Sequence, residues 1–221
     1  MHSDVRMITI RGGEAGGPGA SLAERTRHEL EPALAAVRRG SALLLVIDVE
    51  RNAWDWQWDG TRLSSRRIAA DHHDLVVRLL SATVPVVVRL DGTVSGLGLA
   101  LALACDLRFV TDGARVRVGP AASAAAVVTG LPWLLRDRLG SSRAMELMLT
   151  GRELDAAQAR TVGLACDGSF EDAVQALGSA PPAVTSALVR SLSGPAVTAC
   201  SEHLAYEAWL GELATSGGDR A

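Results

Sequence analysis

At 221 residues, 48% of them apolar, the chain is long enough to enclose one sizeable core and too hydrophobic to be read as disordered. Its 22 basic and 25 acidic residues leave a formal net charge of −3 with no block of like charge, which argues against a nucleic-acid groove or a membrane-binding surface. No run reaches the length that spans a bilayer, and no long apolar segment follows a basic stretch near Met1, so a soluble, cytoplasmic protein is expected.

The three cysteines, Cys105, Cys166 and Cys200, are odd in number and lack CxxC spacing, so they predict small buried residues and neither a disulfide framework nor a zinc site. Every basic residue is arginine, which removes lysine as a Schiff base or general base.

In chain order, Val5 to Ile10 alternates apolar and polar residues as a strand does, and a Gly-rich stretch from Gly12 to Gly19 follows it. Ser21 and Glu24 then spell a capping box, and Leu30, Leu34 and Val37 recur on one helical face as far as Gly40, with Pro32 predicting a kink. Ala42–Val49 and Val84–Leu90 are nearly continuous apolar runs, the mark of parallel strands covered on both faces. Helical spacing of Ile68, Leu75, Val76 and Leu79 between them makes a βαβ crossover.

After Gly92 a Gly-rich turn leads into Leu99–Ala104, which has no polar side chain and so must be a helix buried all round. Extended segments are expected near Leu107–Val110 and Val116–Val118. Helices follow over Ser142–Leu149, Ala156–Val162 behind Asp155 as N-cap, Val184–Leu192 and Ser201–Leu213, with Gly151 and Gly163 as helix stops and Gly178–Pro182 as a loop. Ser216–Ala221 reads as a loose tail. No internal repeat or linker interrupts this order, so one domain over residues 1–221 is expected, with a core of about 5–165 and C-terminal helices of about 168–215.

Two stretches carry a family resemblance: PVVVRLDGTVSGLGLALALACDLRFVTDGARV at Pro85–Val116, and LGSSRAMELMLTGRELDAAQARTVGL at Leu139–Leu164. Both resemble the central block of crotonases, the enoyl-CoA hydratase/isomerase superfamily, and a weaker likeness extends over most of the chain. The resemblance implies an α/β fold, a crotonase-like ββα spiral with a C-terminal helical segment. It also implies a coenzyme A thioester as substrate or ligand, no other cofactor and no metal, and assembly as a homotrimer or hexamer.

Crotonase chemistry rests on two backbone N–H groups that hold a thioester oxygen as it becomes an enolate. By resemblance, one donor falls on Leu97 within Gly96-Leu97-Gly98, and the other on Trp56 within Trp54-Asp55-Trp56-Gln57-Trp58-Asp59, where the family's Ala-Gly pair is missing. Gly96, Gly98, Trp54 and Trp58 are the matching candidates for lining the acyl site. Taken by themselves, the glycines serve equally well to permit a tight turn, and the tryptophans to form a lid or a subunit contact.

A hydratase needs an acid and a base on either side of a water. The family's first glutamate position is Ala100 here, and its second falls in Gly119-Pro120-Ala121-Ala122, with no acid between Val116 and Arg136. Ordinary hydration and isomerisation are therefore disfavoured. Asp55 and Asp59 remain as candidate acid or base groups, with Asp91, His72 and His73 nearby in chain order; adjacent histidines face different sides of a helix, and surface or capping roles are expected for both. Asp106 is expected to position backbone. Ser95 invites comparison with the related Clp-type serine proteases, but the only histidine downstream is His203, in the last helix.

Two functions stay open. One is an acyl-CoA enzyme, in the lyase, hydratase or isomerase range, with atypical acid/base groups and a place in secondary metabolism. The other is a non-catalytic accessory protein that assists a partner biosynthetic enzyme; shortened, glutamate-poor chains of this kind resemble the small accessory component found beside a type III polyketide synthase in dihydroxyphenylacetyl-CoA biosynthesis.

Overall fold

The structure, a computed structural model, describes residues 5–11, 22–55, 66–118 and 129–216. In chain order the elements are β1 (Val5–Ile10), α1 (Leu22–Arg38), β2 (Leu44–Val49), α2 (Arg66–Leu80), β3 (Val86–Leu90), β4 (Thr93–Ser95), α3 (Gly96–Ala104), β5 (Leu107–Val110), β6 (Arg115–Arg117), α4 (Leu131–Leu139), α5 (Ser141–Thr150), β7 (Glu153–Asp155), α6 (Ala156–Thr161), α7 (Phe170–Ser179) and α8 (Pro182–Ser216).

The main sheet is parallel throughout, in the order β1-β2-β3-β5. Its central strands are apolar along almost their whole length because both faces are covered. Leu45, Ile47, Val86, Val88 and Leu90 face the large core shared with α1, α2 and α3. Leu44, Val46 and Val87 point the other way, onto Phe109 and the Phe170 of α7, whose rings meet edge to face at 5.8 Å. On that outer face Arg89 grips Asp48 through two hydrogen bonds of 2.8 and 2.6 Å and lies 4.8 Å from the Phe170 ring. A smaller sheet, β4-β6-β7, is built from three-residue strands, with β6 parallel to β4 and antiparallel to β7.

Helix α3 fulfils its apolar sequence: every residue from Leu97 to Ala104 is buried. Asp155 caps α6 as expected, in a capping box with Gln158, while Gly151 and Gly163 take positive φ just past their helices. Helix α1 continues through Pro32. The Gly12–Gly19 stretch, the Ser21 cap and residues 217–221 lie outside the described residues.

Four elements escape the sequence reading: α4, α7, β4 and β7. The loop expected at Gly178–Pro182 shrinks to two residues between α7 and α8. The two helices expected at the C-terminus are one, α8, which runs through Gly194 and Pro195. Its buried side holds across that junction, with Val189, Cys200, Leu204 and Glu207 enclosed and Ser193 donating to Asp106 at 3.3 Å. Packing on α2 and α4 thus outweighs the local cost of the proline.

Glu207 is 1% exposed and caps α4 from a distance, accepting the Gly130 N–H at 2.9 Å and the Trp133 N–H at 3.3 Å; His203 sits one turn back with Nε2 3.5 Å from the carboxylate. Burial outweighs those two hydrogen bonds and raises the Glu207 carboxyl from 4.5 to about 8. His72 corrects an expectation: it is 1% exposed rather than at the surface, and burial lowers it from 6.5 to about 4.

A carboxyl raised in the folded state stabilises the fold fully below pH 4.5 and loses that contribution as pH rises to about 8, whereas a lowered imidazole contributes above pH 6.5 and loses it as pH falls toward 4. Urea midpoints should therefore decline between pH 6.5 and 8, above the His72 range, as the raised Glu207 carboxyl ionises. The Glu207→Gln variant should flatten that decline, and an unchanged slope would contradict the assignment.

Candidate functional site

Because β2 and β3 are parallel neighbours, the loops that leave their C-terminal ends emerge side by side, at the edge where ligands of open parallel sheets commonly bind. The first loop, residues 50–55, is a run of tight turns closed by Ala53 N–H to Glu50 O and Asp55 N–H to Asn52 O. Asn52 sits at φ 61°, a conformation its short polar side chain tolerates. The second, residues 91–95 with the short strand β4, enters α3 through Gly96 at φ 51°.

Four hydrogen bonds stitch the loops together. The Asn52 N–H donates to Asp91 O at 3.0 Å, the Thr93 N–H to Asn52 Oδ1 at 2.7 Å, the Ser95 N–H to Trp54 O at 3.1 Å, and the Ser95 hydroxyl to Asp55 Oδ1 at 2.7 Å. Asp91 is accordingly occupied with backbone. Its carboxylate accepts from the Gly92 N–H at 2.9 Å and the Thr111 hydroxyl at 2.7 Å.

The approach is close enough to demand glycine twice. A Cβ on Gly98 would collide with the Trp54 carbonyl and lie 2.6 Å from Trp54 Cβ; one on Gly92 would collide with the Asn52 side chain and lie 2.9 Å from the Asn52 nitrogen. Gly98 therefore does more than allow a turn: it admits the neighbouring loop against the first turn of α3. This is the physical content of a Gly-x-Gly that, by itself, is a weak signal.

Leu97 is the second residue of α3, so its N–H belongs to the first four of the helix, which have no intrahelical acceptor. Ser95 occupies the N-cap position with extended backbone (φ −148°, ψ 161°), yet its side chain makes no capping hydrogen bond. The helix start thus presents N–H groups and the positive end of its dipole beside the loop carrying Asp55, which is half-buried.

The expected acid positions are bare where the structure describes them. Ala100 is fully enclosed in the core among Leu97, Leu101 and their neighbours. The Gly119–Ala122 stretch lies outside the described residues, as do Trp56, Trp58 and Asp59. Trp54 is described, and its indole is 0% exposed within the core, with a buried Nε1 that has no hydrogen-bond partner among the described residues. A lid over the surface is therefore the wrong picture for Trp54; its backbone, rather than its ring, abuts the α3 turn.

Of the other candidates, His72 and His73 lie on α2, away from the two loops in the chain, with His72 in the core and His73 half-buried. Asp106 holds backbone, accepting the Val86 N–H at 2.8 Å. His203 pairs with Glu207 on α8, which takes it out of any triad with Ser95. All three cysteines are free; burial raises the Cys105 thiol and lifts Cys200 to about 12, which leaves both as inert core residues, while Cys166 is half-buried.

Among the described residues no group of His, Cys, Asp or Glu could hold a metal ion. No helix among them is long and apolar enough to cross a membrane. Two clefts, of about 250 Å³ beside Arg89, Arg160 and Phe170 and about 430 Å³ along Val5, Leu44 and Leu177, lie elsewhere on the molecule. In the first, the Arg89 charge is already matched by Asp48 and Glu171.

Comparison with known proteins fits this arrangement. Residues 20–177 match the profile of the enoyl-CoA hydratase/isomerase family. A probable enoyl-CoA hydratase of Mycobacterium tuberculosis is 40% identical over 92 residues, 41% of this chain and 32% of that protein, so the matched stretch spans about a third of the relative's length. Over 97% of this chain and 92% of the other, the crystal structure of an enoyl-CoA hydratase from Bacillus halodurans superposes with a TM-score of 0.73 at 18% identity. A monofunctional enoyl-CoA isomerase of M. smegmatis matches with a TM-score of 0.63 at 26% identity, over 86% of this chain and 87% of that one. At such identities these superpositions establish a shared fold, the crotonase fold.

Gly98→Ala should cost about 3 kcal/mol or more, because it sets a side-chain atom against backbone that has no room to move. The control is Gly113→Ala, where nothing lies within 4 Å and a change within about 0.5 kcal/mol is expected. Equal urea midpoints for the two variants would refute the close-approach account.

Proposed function

We propose that this chain, which belongs to the enoyl-CoA hydratase/isomerase family, binds an acyl-CoA thioester with its carbonyl oxygen on the Leu97 N–H, and that it is not a standard hydratase. The observation that carries this reading is the uncapped start of α3, set by glycine against a second loop, at the position that matches the family's donor turn. The second donor falls to Trp56, with Gly96, Gly98 and Trp58 around the acyl group and Trp54, its ring in the core, contributing only backbone against α3.

Backbone N–H groups stabilise developing negative charge on a thioester oxygen without any help from side chains. Proton delivery is a separate matter. A buried Ala100 has nothing to donate, so reactions that need only enolate stabilisation, or a proton handled by Asp55 or Asp59, fit this chain better than hydration. The same buried alanine favours the second reading, a non-catalytic accessory protein in secondary metabolism that holds an acyl-CoA for a partner such as a type III polyketide synthase. Turnover of an acyl-CoA or enoyl-CoA by the isolated protein would end that second reading.

Coenzyme A enters as substrate or ligand, with no further cofactor. The homotrimer or hexamer expected of the family draws support from apolar side chains left at the surface of α8, where Val184, Leu188 and Leu192 are 54%, 56% and 78% exposed at a spacing of four residues. Light scattering should read a multiple of three chains; a monomer would overturn the assembly.

The donor assignment is tested by exchanging Leu97. Leu97→Pro removes an N–H that has no intrahelical acceptor, whereas Leu97→Ala keeps the N–H and loses only side-chain packing. Titration calorimetry with butyryl-CoA should give about fivefold weaker binding for the proline variant than for the alanine variant, the worth of one hydrogen bond. Equal affinities would remove Leu97 from the site.

A further inference from the structure

Strand β1 stands at the edge of the main sheet, paired with β2 in an unbroken register from Val5 opposite Leu44 to Ile10 opposite Val49. The Ile10 carbonyl accepts the Glu50 N–H at 2.9 Å, so Ile10 turns its backbone groups toward β2, and alternation along the strand sends those of Ile8 and Arg6 the same way. The N–H and C=O groups of Val5, Met7 and Thr9 therefore point out of the sheet, where no strand lies beside them among the described residues. This outward row ends at Arg11, whose N–H donates to Glu29 Oε1 at 3.4 Å. Met7 is 57% exposed and Thr9 is exposed as well, so the row is open to solvent.

Sheet edges are ordinarily blunted by a proline, a lysine or a bulge, because a row of unpaired backbone groups is a template for another chain. Strand β1 has none of the three. Its sequence, Val-Arg-Met-Ile-Thr-Ile, is rich in residues that favour strands, and its one charge is on Arg6.

We propose that β1 is a self-recognition edge: two copies of this chain join β1 to β1, antiparallel, about a two-fold axis at Met7, so that their main sheets become one. Only this register uses the whole outward row. It sets Met7 against Met7 of the second copy and Val5 against Thr9 in both directions, each an outward-facing pair that exchanges two hydrogen bonds. A shift to either side leaves Val5 or Thr9 of each copy unmatched within the row. Between these pairs Arg6 falls beside Ile8 of the second copy, where the arginine stem covers an apolar side chain and no like charges meet.

The helices leave room for this approach. On the side of the sheet that α1 covers, burial falls from Ile10 through half-buried Ile8 to exposed Arg6, so the Val5 end of the strand stands open. An antiparallel partner brings its own covered end to that opening and keeps the two α1 helices apart. One pair of six-residue strands is smaller than the roughly 1,200 Å² of a stable interface, so pairing in the micromolar to millimolar range is expected.

Amide exchange and light scattering on the full chain, up to about 1 mM, test the contact. Proline at position 7 removes an outward N–H and blocks the edge without touching the ladder to β2. At the highest concentration the wild-type protein should have twice the mass of Met7→Pro, and its Thr9 amide should be protected where that of the variant is not. The mass is read as a ratio, so a failure of the trimer proposed above leaves the result distinct: the unit that pairs is then a single chain.

The register has a separate test in Met7→Lys and Met7→Glu, which change only an exposed side chain and so keep the question open to measurement if proline disturbs β1. Either variant alone sets like charges against each other at the two-fold axis, whereas a mixture sets lysine against glutamate and should pair about threefold more tightly. A mixture no tighter than its components overturns the register. Equal masses for wild type and Met7→Pro, a Thr9 amide unprotected at about 1 mM, or protection that survives in Met7→Pro overturns self-pairing, and an edge left open at that concentration serves a different partner or none.

Discussion

The contact between the loop after β2 and the first turn of α3 is the constraint on which the rest of the site depends. Parallel pairing of β2 with β3 delivers both loops to one edge, but pairing alone does not bring them into contact. Contact is made because Gly98 has no Cβ, so the Trp54 backbone can lie where a side chain would otherwise stand. Once there, Trp54 O accepts the Ser95 N–H and Asp55 reaches the Ser95 hydroxyl. The helix that begins at Gly96 is then anchored below by a core that buries every residue from Leu97 to Ala104. Rigid backing and an uncapped start together turn an ordinary helix N-terminus into a candidate donor site.

A site built from backbone is robust to the loss of side chains. The main-chain N–H of Leu97 does not depend on the side chains at 97 or 100, so a backbone donor at this helix start is independent of the enclosed Ala100. Proton transfer is different, because it needs an ionisable group at hydrogen-bond distance, and an alanine has none. Asp55, half-buried, accepts the Ser95 hydroxyl at the start of that helix.

The C-terminal half shows a different balance. Glu207 crosses from α8 to cap α4, satisfying two amides of a helix start whose N-cap residue, Gly130, has no side chain to do so, at the expense of burying a carboxyl group. The long-range cap fixes where α8 crosses α4, and α8 in turn covers α2. Helix continuity through Gly194 and Pro195 belongs to the same balance: the buried residues on either side of the junction keep one face in register.

The amino-acid sequence by itself determined the parallel strands, the βαβ crossover, the wholly apolar α3 and the Asp155 cap, because each depends on residues near one another in the chain: a run of Val and Leu, a helical spacing, an Asp followed three places on by Gln. It also determined the absence of an acid at Ala100, and the family, through long ordered stretches such as Leu139–Leu164. Only the tertiary structure decided that α8 is one helix, that His72 is enclosed, that Trp54 belongs to the core and that Ser95 bonds to Asp55. Those facts depend on residues 40 or more positions apart, or on packing free energy that overrides local preference. Neither leaves a mark in the spacing of a single chain.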